Sequence, residues 1–424
     1  MFLEFKDILL LLLISYAIYL GYPIKNQIDV HKIKSLQHLK TFAKKPSHKI
    51  IPQTLPLYIL KFKDAGLTYE EHKILTEDGY ILTAWRINNK HQGEPVVLQH
   101  GLFDSSYTWV MLENEYSLPI LLAKGGYDVW LTNTRGNSLC YEHRNSKQFN
   151  ANDIHSHYWD FSFHEMAVYD LPSNLMYIKY ITGYDKVNYI SHSQGGLIYF
   201  ILYTLHPEFV ETNVKQFFSV GTVATVFTAE SHLLHLTAYF DISNILKKIN
   251  IQNFFVLNDK FHLLIHYFCR RLNVVCYSVL NFVVSNGKNT NRINPETLFE
   301  NFLYTPGGTS LKNIQHWLQV FKGKTLGMYD YGKNENLKRY GKSRPPVYDL
   351  KKFKNYKVKS TLYYSDSDPF SNENDLKQIT QYLNKDIVEV KKLINYNHLD
   401  FLWSKDAKND IYVEILRKLN EYHN

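Results

Sequence analysis

Residues 187–200 have the sequence Val-Asn-Tyr-Ile-Ser-His-Ser-Gln-Gly-Gly-Leu-Ile-Tyr-Phe. The β-branched and aromatic start predicts a strand, the apolar end predicts a helix, and Ser193 lies at the apex of the turn between them. Such a turn brings strand and helix so close together that bulky side chains beside the apex would collide, and Gly195 and Gly196 avoid this. Ser191 stands where the G-x-S-x-G pattern has its first glycine, and we interpret this small residue as a tolerated departure. The stretch predicts a serine exposed above an α/β sheet, and a serine in an ordinary glycine turn is the alternative.

A second segment upstream of this turn meets a further need of a nucleophilic serine. Residues 94–99 form a buried-strand pattern, and His100-Gly101-Leu102 follow it directly. Attack of a serine on a carbonyl group creates an oxyanion. Backbone N–H groups from the residue after the serine and from a loop after an earlier strand stabilise it. These positions correspond to Gln194 and Leu102. Considered alone, His100-Gly101 is an ordinary strand-to-loop turn.

The base and the acid of a serine hydrolase are expected after the serine, in the order acid and then histidine. A strand predicted over residues 358–364 precedes Asp366 and Asp368, and another over 387–390 precedes His398. Catalytic residues collect in such loops. We therefore predict that His398 takes the proton of Ser193 and that Asp368 orients the imidazole. The alternatives are turn-forming aspartates and a surface histidine, one of 19 in the chain.

Composition agrees with an enzyme of this kind without selecting it. The chain has 424 residues, of which 45% are hydrophobic, enough for one catalytic domain with an inserted cap. The net charge of +8 is spread along the chain and forms no block typical of a nucleic-acid-binding arm. The three cysteines lack zinc-binding spacing. We therefore expect no metal, no cofactor and no nucleic-acid partner.

Further runs extend the pattern over most of the chain, from about residue 58 to residue 412. They lie at 65–72, 76–82, 98–102, 126–131, 133–137, 158–163, 165–167, 169–172, 306–310, 316–317, 329–332 and 345–348. With the serine turn and the C-terminal loops, they resemble the acid lipase family of α/β-hydrolases, which includes gastric and lysosomal acid lipases. Two departures are His164, where the family pattern has an acidic residue, and Pro369-Phe370, where it has an aromatic-aliphatic pair.

The resemblance implies an α/β-hydrolase fold, with a mostly parallel central sheet flanked by helices and an inserted, mainly helical cap or lid. It carries the catalytic roles to Ser193, Asp368 and His398, and the oxyanion donors to Leu102 and Gln194. The implied organisation has five parts. They are a signal peptide or membrane anchor (1–22), a lead segment (23–57), the first part of the core (58–224), the cap insertion (225–306) and the second part of the core (307–424).

We expect the residues of the insertion to determine the substrate class. Phe261, Leu264, Ile265 and Phe268 recur at helical spacing, which predicts an amphipathic helix with its apolar side packed against the core. By the resemblance, the insertion would cover the serine in water and open at a lipid surface. We expect the lid elements between residues 231 and 260.

The resemblance also implies a cysteine pair in this insertion. Cys269 and Cys276 would supply it and would leave Cys140 free. An oxidising compartment permits such a bridge, and the spacing alone does not require it.

The compartment is predicted from the N-terminus. Residues 2–20 are predominantly apolar, with an unbroken aliphatic run over residues 8–14 that is typical of a signal-peptide core. Because Glu4 and Asp7 offset Lys6, an uncleaved membrane anchor is the alternative. Both interpretations predict the secretory pathway, with a secreted or lysosomal protein for a cleaved segment and membrane association for an anchor.

The predicted function is that of a serine lipase that hydrolyses carboxylic esters of long-chain fatty acids through an acyl-enzyme. The resemblance implies triacylglycerols or steryl esters as substrates and a lipid–water interface as the place of reaction. A soluble carboxylesterase for short esters, with the same triad, is one alternative. A non-catalytic lipid-binding protein on the same fold is another, although its triad positions would not need to be filled.

Overall fold

The computed structural model describes residues 61–88, 93–152, 157–248, 251–256, 259–285, 290 and 292–421. The predicted signal peptide or anchor (1–22) and the lead segment (23–57) lie outside these residues. No described helix is both long enough and apolar enough to cross a membrane.

Within the described residues, a nine-stranded sheet forms the centre of the molecule, in the order β1-β2-β4-β3-β6-β7-β10-β11, with β5 paired to β2. All pairs from β4 to β11 are parallel, and β1, β2 and β5 join antiparallel. Every residue of β3, β4 and β6 is buried, as in parallel strands covered on both faces. The predicted mostly parallel sheet is confirmed. The strands are β1 (Thr68–Leu75), β2 (Tyr80–Asn88), β3 (Pro95–Gln99), β4 (Asp128–Thr132), β5 (Glu142–His143), β6 (Val187–His192), β7 (Val214–Val220), β8 (Asn253–Phe254), β9 (Thr309–Ser310), β10 (Lys359–Ser365) and β11 (Val388–Leu393).

Helices flank this sheet and follow most of its strands. One π-helical turn covers Met166–Asp170 and a second covers Lys408–Tyr412. Two 3₁₀ helices cover Ser106–Val110 and Leu350–Asn355. The α-helices are α1 (Leu118–Lys124), α2 (Phe163–Glu165), α3 (Leu171–Thr182), α4 (Gln194–Leu205), α5 (Pro207–Asn213), α6 (His232–Tyr239), α7 (Ile242–Lys248), α8 (Asp259–Arg271), α9 (Asn273–Val284), α10 (Pro295–Asn301), α11 (Leu311–Gly323), α12 (Lys333–Tyr340), α13 (Glu373–Thr380), α14 (Asp400–Trp403) and α15 (Val413–Glu421).

Between β7 and β10 the chain forms a long, mainly helical insertion before it returns to the sheet. Helices α6 to α10 and strand β8 lie within residues 225–306, the range predicted for the cap. Strand β8 pairs with β9 in a separate two-stranded sheet, which ties this range to the start of α11. The range 231–260, where lid elements are expected, contains α6, α7 and β8.

Helix α8 is amphipathic as predicted, but its predicted orientation is wrong. Leu264 and Phe268 are 47% and 50% exposed, whereas His262 and His266 are buried. Each histidine donates its Nδ1–H to a carbonyl at the end of α10, at 3.0 and 2.7 Å. Such carbonyls have no partner within their own helix, so polar side chains are favoured on the inner side of α8. Part of the apolar stripe is therefore left facing outward.

The parallel pairing brings four loops to one edge of the sheet. Leu102 follows β3, Ser193 follows β6, Asp368 follows β10 and His398 follows β11. Because β3, β6, β7, β10 and β11 all run in the same direction, their carboxyl ends meet at this edge. That edge is where open α/β sheets bind their ligands.

Candidate active site

Ser193 occupies a sharp turn between β6 and α4. Its φ of +53° with ψ of −120° is a conformation that a residue with a side chain rarely adopts, and such strain persists only where the surrounding structure enforces it. Close packing under the turn explains the glycine that follows. A Cβ at Gly195 would lie 2.8 Å from the carbonyl oxygen of Gln99 and 2.9 Å from that of His100. The turn is therefore built as the sequence pattern indicated.

Close packing against Ser219 explains the second glycine of the turn, and Ser191 lies beside it. A Cβ at Gly196 would lie 2.7 Å from Ser219 Oγ and 3.4 Å from Ser191 Oγ. The hydroxyl of Ser191 thus occupies space beside the bare backbone of Gly196. Both hydroxyls are buried and have no hydrogen-bond partner among the described residues.

We expect Ser191→Ala to raise the free energy of unfolding by about 1 kcal/mol, since a buried polar group without a partner costs about 1–3 kcal/mol. Ester hydrolysis should be retained, because the Ser191 hydroxyl does not contact Ser193. Urea unfolding of the two proteins measures the difference. A clear loss of stability would show that the hydroxyl is hydrogen-bonded after all, for example to an internal water.

Ser193, His398 and Asp368 form a continuous hydrogen-bonded chain. His398 Nε2 lies 2.8 Å from Ser193 Oγ, and His398 Nδ1 lies 2.7 Å from Asp368 Oδ2. The other oxygen of Asp368 accepts the N–H groups of Phe370 (2.8 Å) and Ser371 (3.0 Å), which orients the carboxylate. All three side chains are at least 90% buried. This arrangement can transfer a proton from the serine to the imidazole, as in nucleophilic ester cleavage.

Asp366, the other aspartate in the loop after β10, is hydrogen-bonded to the backbone of the loop after β11. Its Oδ1 accepts the N–H of Asn395 at 3.1 Å. Asp368, the residue predicted to orient the imidazole, is the aspartate of this loop whose carboxylate is hydrogen-bonded to it.

A second buried histidine supports the loop that carries His398. The Nε2–H of His192 donates to the main-chain carbonyl of His398 at 2.9 Å, and the two rings are 4.8 Å apart. Burial holds the pKa of His192 well below its usual range, so the ring stays neutral. Sequence reasoning passed over this residue because only the fold brings positions 192 and 398 together.

The predicted oxyanion donors lie at the same edge of the sheet as Ser193. Gln194 begins α4, so its N–H has no acceptor within the helix. Among the described residues, the N–H of Leu102 also has no acceptor. A Cβ at Gly101 would lie 2.9 Å from Ser193 Cβ, which shows how closely this loop approaches the serine.

His100 holds the peptide that precedes Leu102. Its Nδ1–H donates to the carbonyl of Gly101 at 2.8 Å, and its Nε2 accepts from Asn137 Nδ2 (3.0 Å) and Thr134 N (3.2 Å). Burial lowers the pKa of His100 to about 4, so this tautomer persists at neutral pH. The carbonyl group of the Gly101–Leu102 peptide is thereby held in place, and the N–H of Leu102 is left for another acceptor.

Asp104 is a buried carboxyl group in the same loop that the sequence reasoning did not single out. It is 5% exposed, and its Oδ1 accepts the N–H of Ser105 at 2.9 Å. Burial raises the pKa of Asp104 to about 7, against the opposing influence of Thr108, Ser105, Thr305 and His398. An isolated aspartate after His-Gly-Leu-Phe carries no sequence pattern that predicts this environment.

Asp104→Asn is expected to reduce the pH dependence of stability. Because the pKa of Asp104 is raised in the folded protein, the unfolded chain loses this proton first as the pH rises from about 4 to about 7. The free energy of unfolding therefore falls across that window, by about 1.4 kcal/mol per unit of difference between the folded and unfolded pKa values. The asparagine has no proton to lose, so its free energy of unfolding should fall less between pH 4 and 7. Parallel pH profiles would contradict the raised pKa.

Cys269 and Cys276 form a disulfide that joins α8 to α9, with the Cα atoms 5.4 Å apart. Cys140 is free and buried, and burial raises the pKa of its thiol to about 12, which makes it unreactive. No cluster of three or more potential metal ligands occurs within the described part of the chain.

The similarity to known proteins is extensive. A family model described as the alpha/beta hydrolase fold matches residues 94–405, and one described as a partial alpha/beta-hydrolase lipase region matches residues 61–113. Gastric triacylglycerol lipase from Bos taurus is 36% identical over 374 residues, covering 84% of this chain and 89% of that protein. Lipase lipl-1 from Caenorhabditis elegans is 34% identical over 387 residues, covering 86% and 90%.

Solved structures share the architecture at much lower identity. A crystal structure of lip1 from Acinetobacter baumannii AYE has a TM-score of 0.50 and 15% identity, and the match covers 89% of this chain and 99% of that one. At this identity the likeness supports the fold alone. The sequence matches, by contrast, span most of the chain and of its relatives. This chain belongs to the acid lipase family of α/β hydrolases, as the sequence predicted, and it is a carboxylic ester hydrolase.

Proposed function

We propose that this protein is a serine lipase in which Ser193 is the nucleophile, His398 the general base and Asp368 the residue that orients the base. The observation that carries the proposal is the hydrogen-bonded chain from Asp368 through His398 to Ser193, with distances of 2.7 and 2.8 Å at a strained serine turn. A non-catalytic lipid carrier would have no need for this arrangement.

The chemistry follows from the geometry. Ser193 Oγ attacks the ester carbonyl carbon and passes its proton to His398 Nε2, while the N–H groups of Leu102 and Gln194 donate hydrogen bonds to the oxyanion. The tetrahedral intermediate then collapses, and the alcohol leaves with the proton from His398. Water attacks the acyl-enzyme by the same route in reverse, and the fatty acid is released. No cofactor takes part.

Long-chain esters are supported as substrates by the relatives and by the surface of the insertion. Several relatives are named gastric triacylglycerol lipases. Large apolar side chains of the insertion are exposed, and where such side chains gather into one patch they mark interaction sites. We assign this set of side chains to contact with a lipid–water interface. It comprises Tyr239, Phe240, Ile245, Leu264, Phe268, Leu272, Val274 and Val275, which are 41–82% exposed.

Residues 225–306 are proposed as the cap and 231–260 as the part that contains its lid. Ser193 and His398 are only 7% and 8% exposed, so a long-chain ester requires an opening above them. The main-chain N–H of His398 donates to the carbonyl of Val284 at 3.1 Å, which ties the end of α9 to the histidine loop. Movement of the insertion would therefore displace the loop that carries His398.

The secretory pathway is proposed as the location, with a secreted or lysosomal protein as the form expected for a cleaved N-terminal segment. The Cys269–Cys276 disulfide supports an oxidising compartment, because such bridges are rare in the cytosol. Membrane association through residues 1–22 is the alternative.

The test is fatty-acid release from an emulsified long-chain triacylglycerol, compared with hydrolysis of a soluble short-chain ester. We expect Phe268→Asp to lower release from the emulsion severalfold and to leave the soluble ester unaffected, because a charge at this position opposes contact with lipid. The matched control is Tyr180→Asp on α3, where the side chain is 84% exposed outside the insertion.

Wild-type activity on the emulsion, with the loss confined to Phe268→Asp, supports the lipase. Hydrolysis of only the soluble ester by the wild-type protein would favour the short-chain carboxylesterase. Absence of both activities would favour the lipid-binding protein.

A further inference from the structure

The side chain of Gln194 is held by two donors from one helix. Its Oε1 accepts Trp317 Nε1–H at 2.7 Å and Asn313 Nδ2–H at 3.0 Å. Its Nε2 lies 3.4 Å from Met166 Sδ. Gln194 is 3% exposed, so these contacts replace those that water would otherwise make. The amide is therefore restrained at both ends.

Both donors lie on the same side of α11, because residues four positions apart share a helix face. Asn313 is fully buried and Trp317 is 6% exposed. The Oδ1 of Asn313 accepts the N–H of Phe163 at 2.8 Å, which leaves its Nδ2 to point at Gln194. The donor geometry is thus set before any substrate is present.

The segment before α3 also contacts α11. The ring of Phe163 stacks on His316 with centroids 3.9 Å apart and contacts Trp317 edge-on at 5.2 Å. His316 Nε2–H donates to the carbonyl of Gly327 at 2.9 Å, and its Nδ1 lies 2.9 Å from Ser162 Oγ. The sequence segments 158–163 and 316–317 therefore pack against each other at α11, although neither contains a proposed catalytic residue.

A different side of α11 contacts the insertion. Gln315 Nε2–H donates to Asn244 Oδ1 at 3.0 Å, and Lys322 Nζ lies 3.5 Å from Asp241 Oδ1. Helix α11 therefore connects the insertion with the residue after the serine.

We infer that Asn313 and Trp317 are positioning residues for the oxyanion hole, an inference that rests on the proposed function. By holding the side chain of Gln194, they fix the orientation of the Ser193–Gln194 peptide, so its N–H points to where the oxyanion forms. Donors oriented in advance stabilise the transition state without reorganising when charge develops. The other explanation is that the three side chains only fill the core, and it predicts altered stability without a specific loss of catalysis.

Trp317→Phe is the most informative variant, because it removes one N–H donor and retains an aromatic ring against Phe163. With a soluble short-chain ester, we expect kcat to fall about tenfold, which corresponds to about 1.4 kcal/mol of lost transition-state stabilisation. KM should stay unchanged, since the ground-state carbonyl does not need the oriented N–H. Gln194→Met retains the backbone N–H and loses the acceptor for both donors, so it should lower kcat at least as far.

The inhibition constant of a reversible alkyl trifluoromethyl ketone distinguishes the two explanations. It should not change if Asn313 and Trp317 only fill the core. Ser193 Oγ bonds to the ketone carbon, the carbonyl π electrons move to its oxygen, and the proton goes to His398. The resulting oxyanion occupies the same hole, so its inhibition constant should rise by the same factor by which kcat falls. The control is Trp159→Phe, which loses an indole hydrogen bond of 2.9 Å to Ala151 O without touching Gln194.

Parallel losses of kcat and ketone affinity in both variants, absent from Trp159→Phe, support the inference. Wild-type kcat and ketone affinity in Trp317→Phe and Gln194→Met overturn it, whatever their melting temperatures. Equal losses in Trp159→Phe also overturn it, because the effect would then follow any lost indole bond. Ser193→Ala separates the two claims: if that variant retains activity, the proposed function fails and this inference fails with it.

Discussion

Ser193→Ala is expected to lower kcat for ester hydrolysis by about 10⁶-fold, the scale seen when the nucleophile of a serine triad is removed. Without Oγ no acyl-enzyme forms, and the imidazole of His398 has no proton to accept. The fold should persist, because alanine is smaller than serine and the turn is enforced by the packing around Gly195. Fatty-acid release and near-ultraviolet circular dichroism, measured on the same preparation, test both statements.

The combination of Ser193→Ala with His398→Ala should be little worse than either change alone. The two groups act as one unit through a hydrogen bond of 2.8 Å, so the second change removes nothing that still functions. Strictly additive losses would contradict a shared role. Ser191→Ala, two residues away in the same turn, is the matched control and should keep the wild-type rate.

Asp368→Asn is expected to lower kcat by about 10⁴-fold, as when the acid of a serine triad becomes an amide. The carboxylate accepts the Nδ1–H of His398 at 2.7 Å and so leaves Nε2 unprotonated and able to accept the serine proton. An amide NH₂ facing Nδ1 would favour the opposite tautomer, with the proton on the wrong nitrogen. KM for a soluble ester should change little, because Asp368 is 2% exposed and lies behind the imidazole.

Asp366→Asn provides the comparison for that loss. Asp366 is two residues away in the same loop, and its contacts with the backbone of Asn395 and the side chain of Ser367 stay within the loops after β10 and β11. We expect nearly wild-type kcat for this variant. Equal losses at both positions would mean that the loop is simply sensitive to change, and a loss at Asp366 alone would reassign the acid.

Much of the candidate site was predictable because its residues occupy loops directly after strands. The strand pattern before Ser193 and the two C-terminal strand patterns correspond to β6, β10 and β11. Parallel pairing then brings their carboxyl ends together, so chain order was enough to suggest Ser193, Asp368 and His398. The departure at Ser191 did not mislead, because the strand before Ser193 and the helix after it form with a serine at that position.

The contacts that the sequence did not indicate are made between segments far apart in the chain. Asn313 and Trp317 reach Gln194 across 119 and 123 positions, and His192 reaches His398 across 206. Periodicity describes one element at a time and carries no information about such partners. The same reason explains why the orientation of α8 was predicted wrongly. Its histidines face inward because they donate hydrogen bonds to carbonyls of another helix.

Covalent labelling is the most direct test of the central claim, that Ser193 is a nucleophile activated by His398. The full chain is incubated with a long-chain alkyl p-nitrophenyl phosphonate, whose phosphorus bonds to an activated serine oxygen and expels p-nitrophenolate. The modified residue is then identified by peptide mass spectrometry. We predict one adduct per chain, on Ser193, with loss of activity in proportion to labelling and no adduct in His398→Ala. Full inactivation with the adduct on another residue, or an unlabelled Ser193 in fully inactivated protein, would contradict the account.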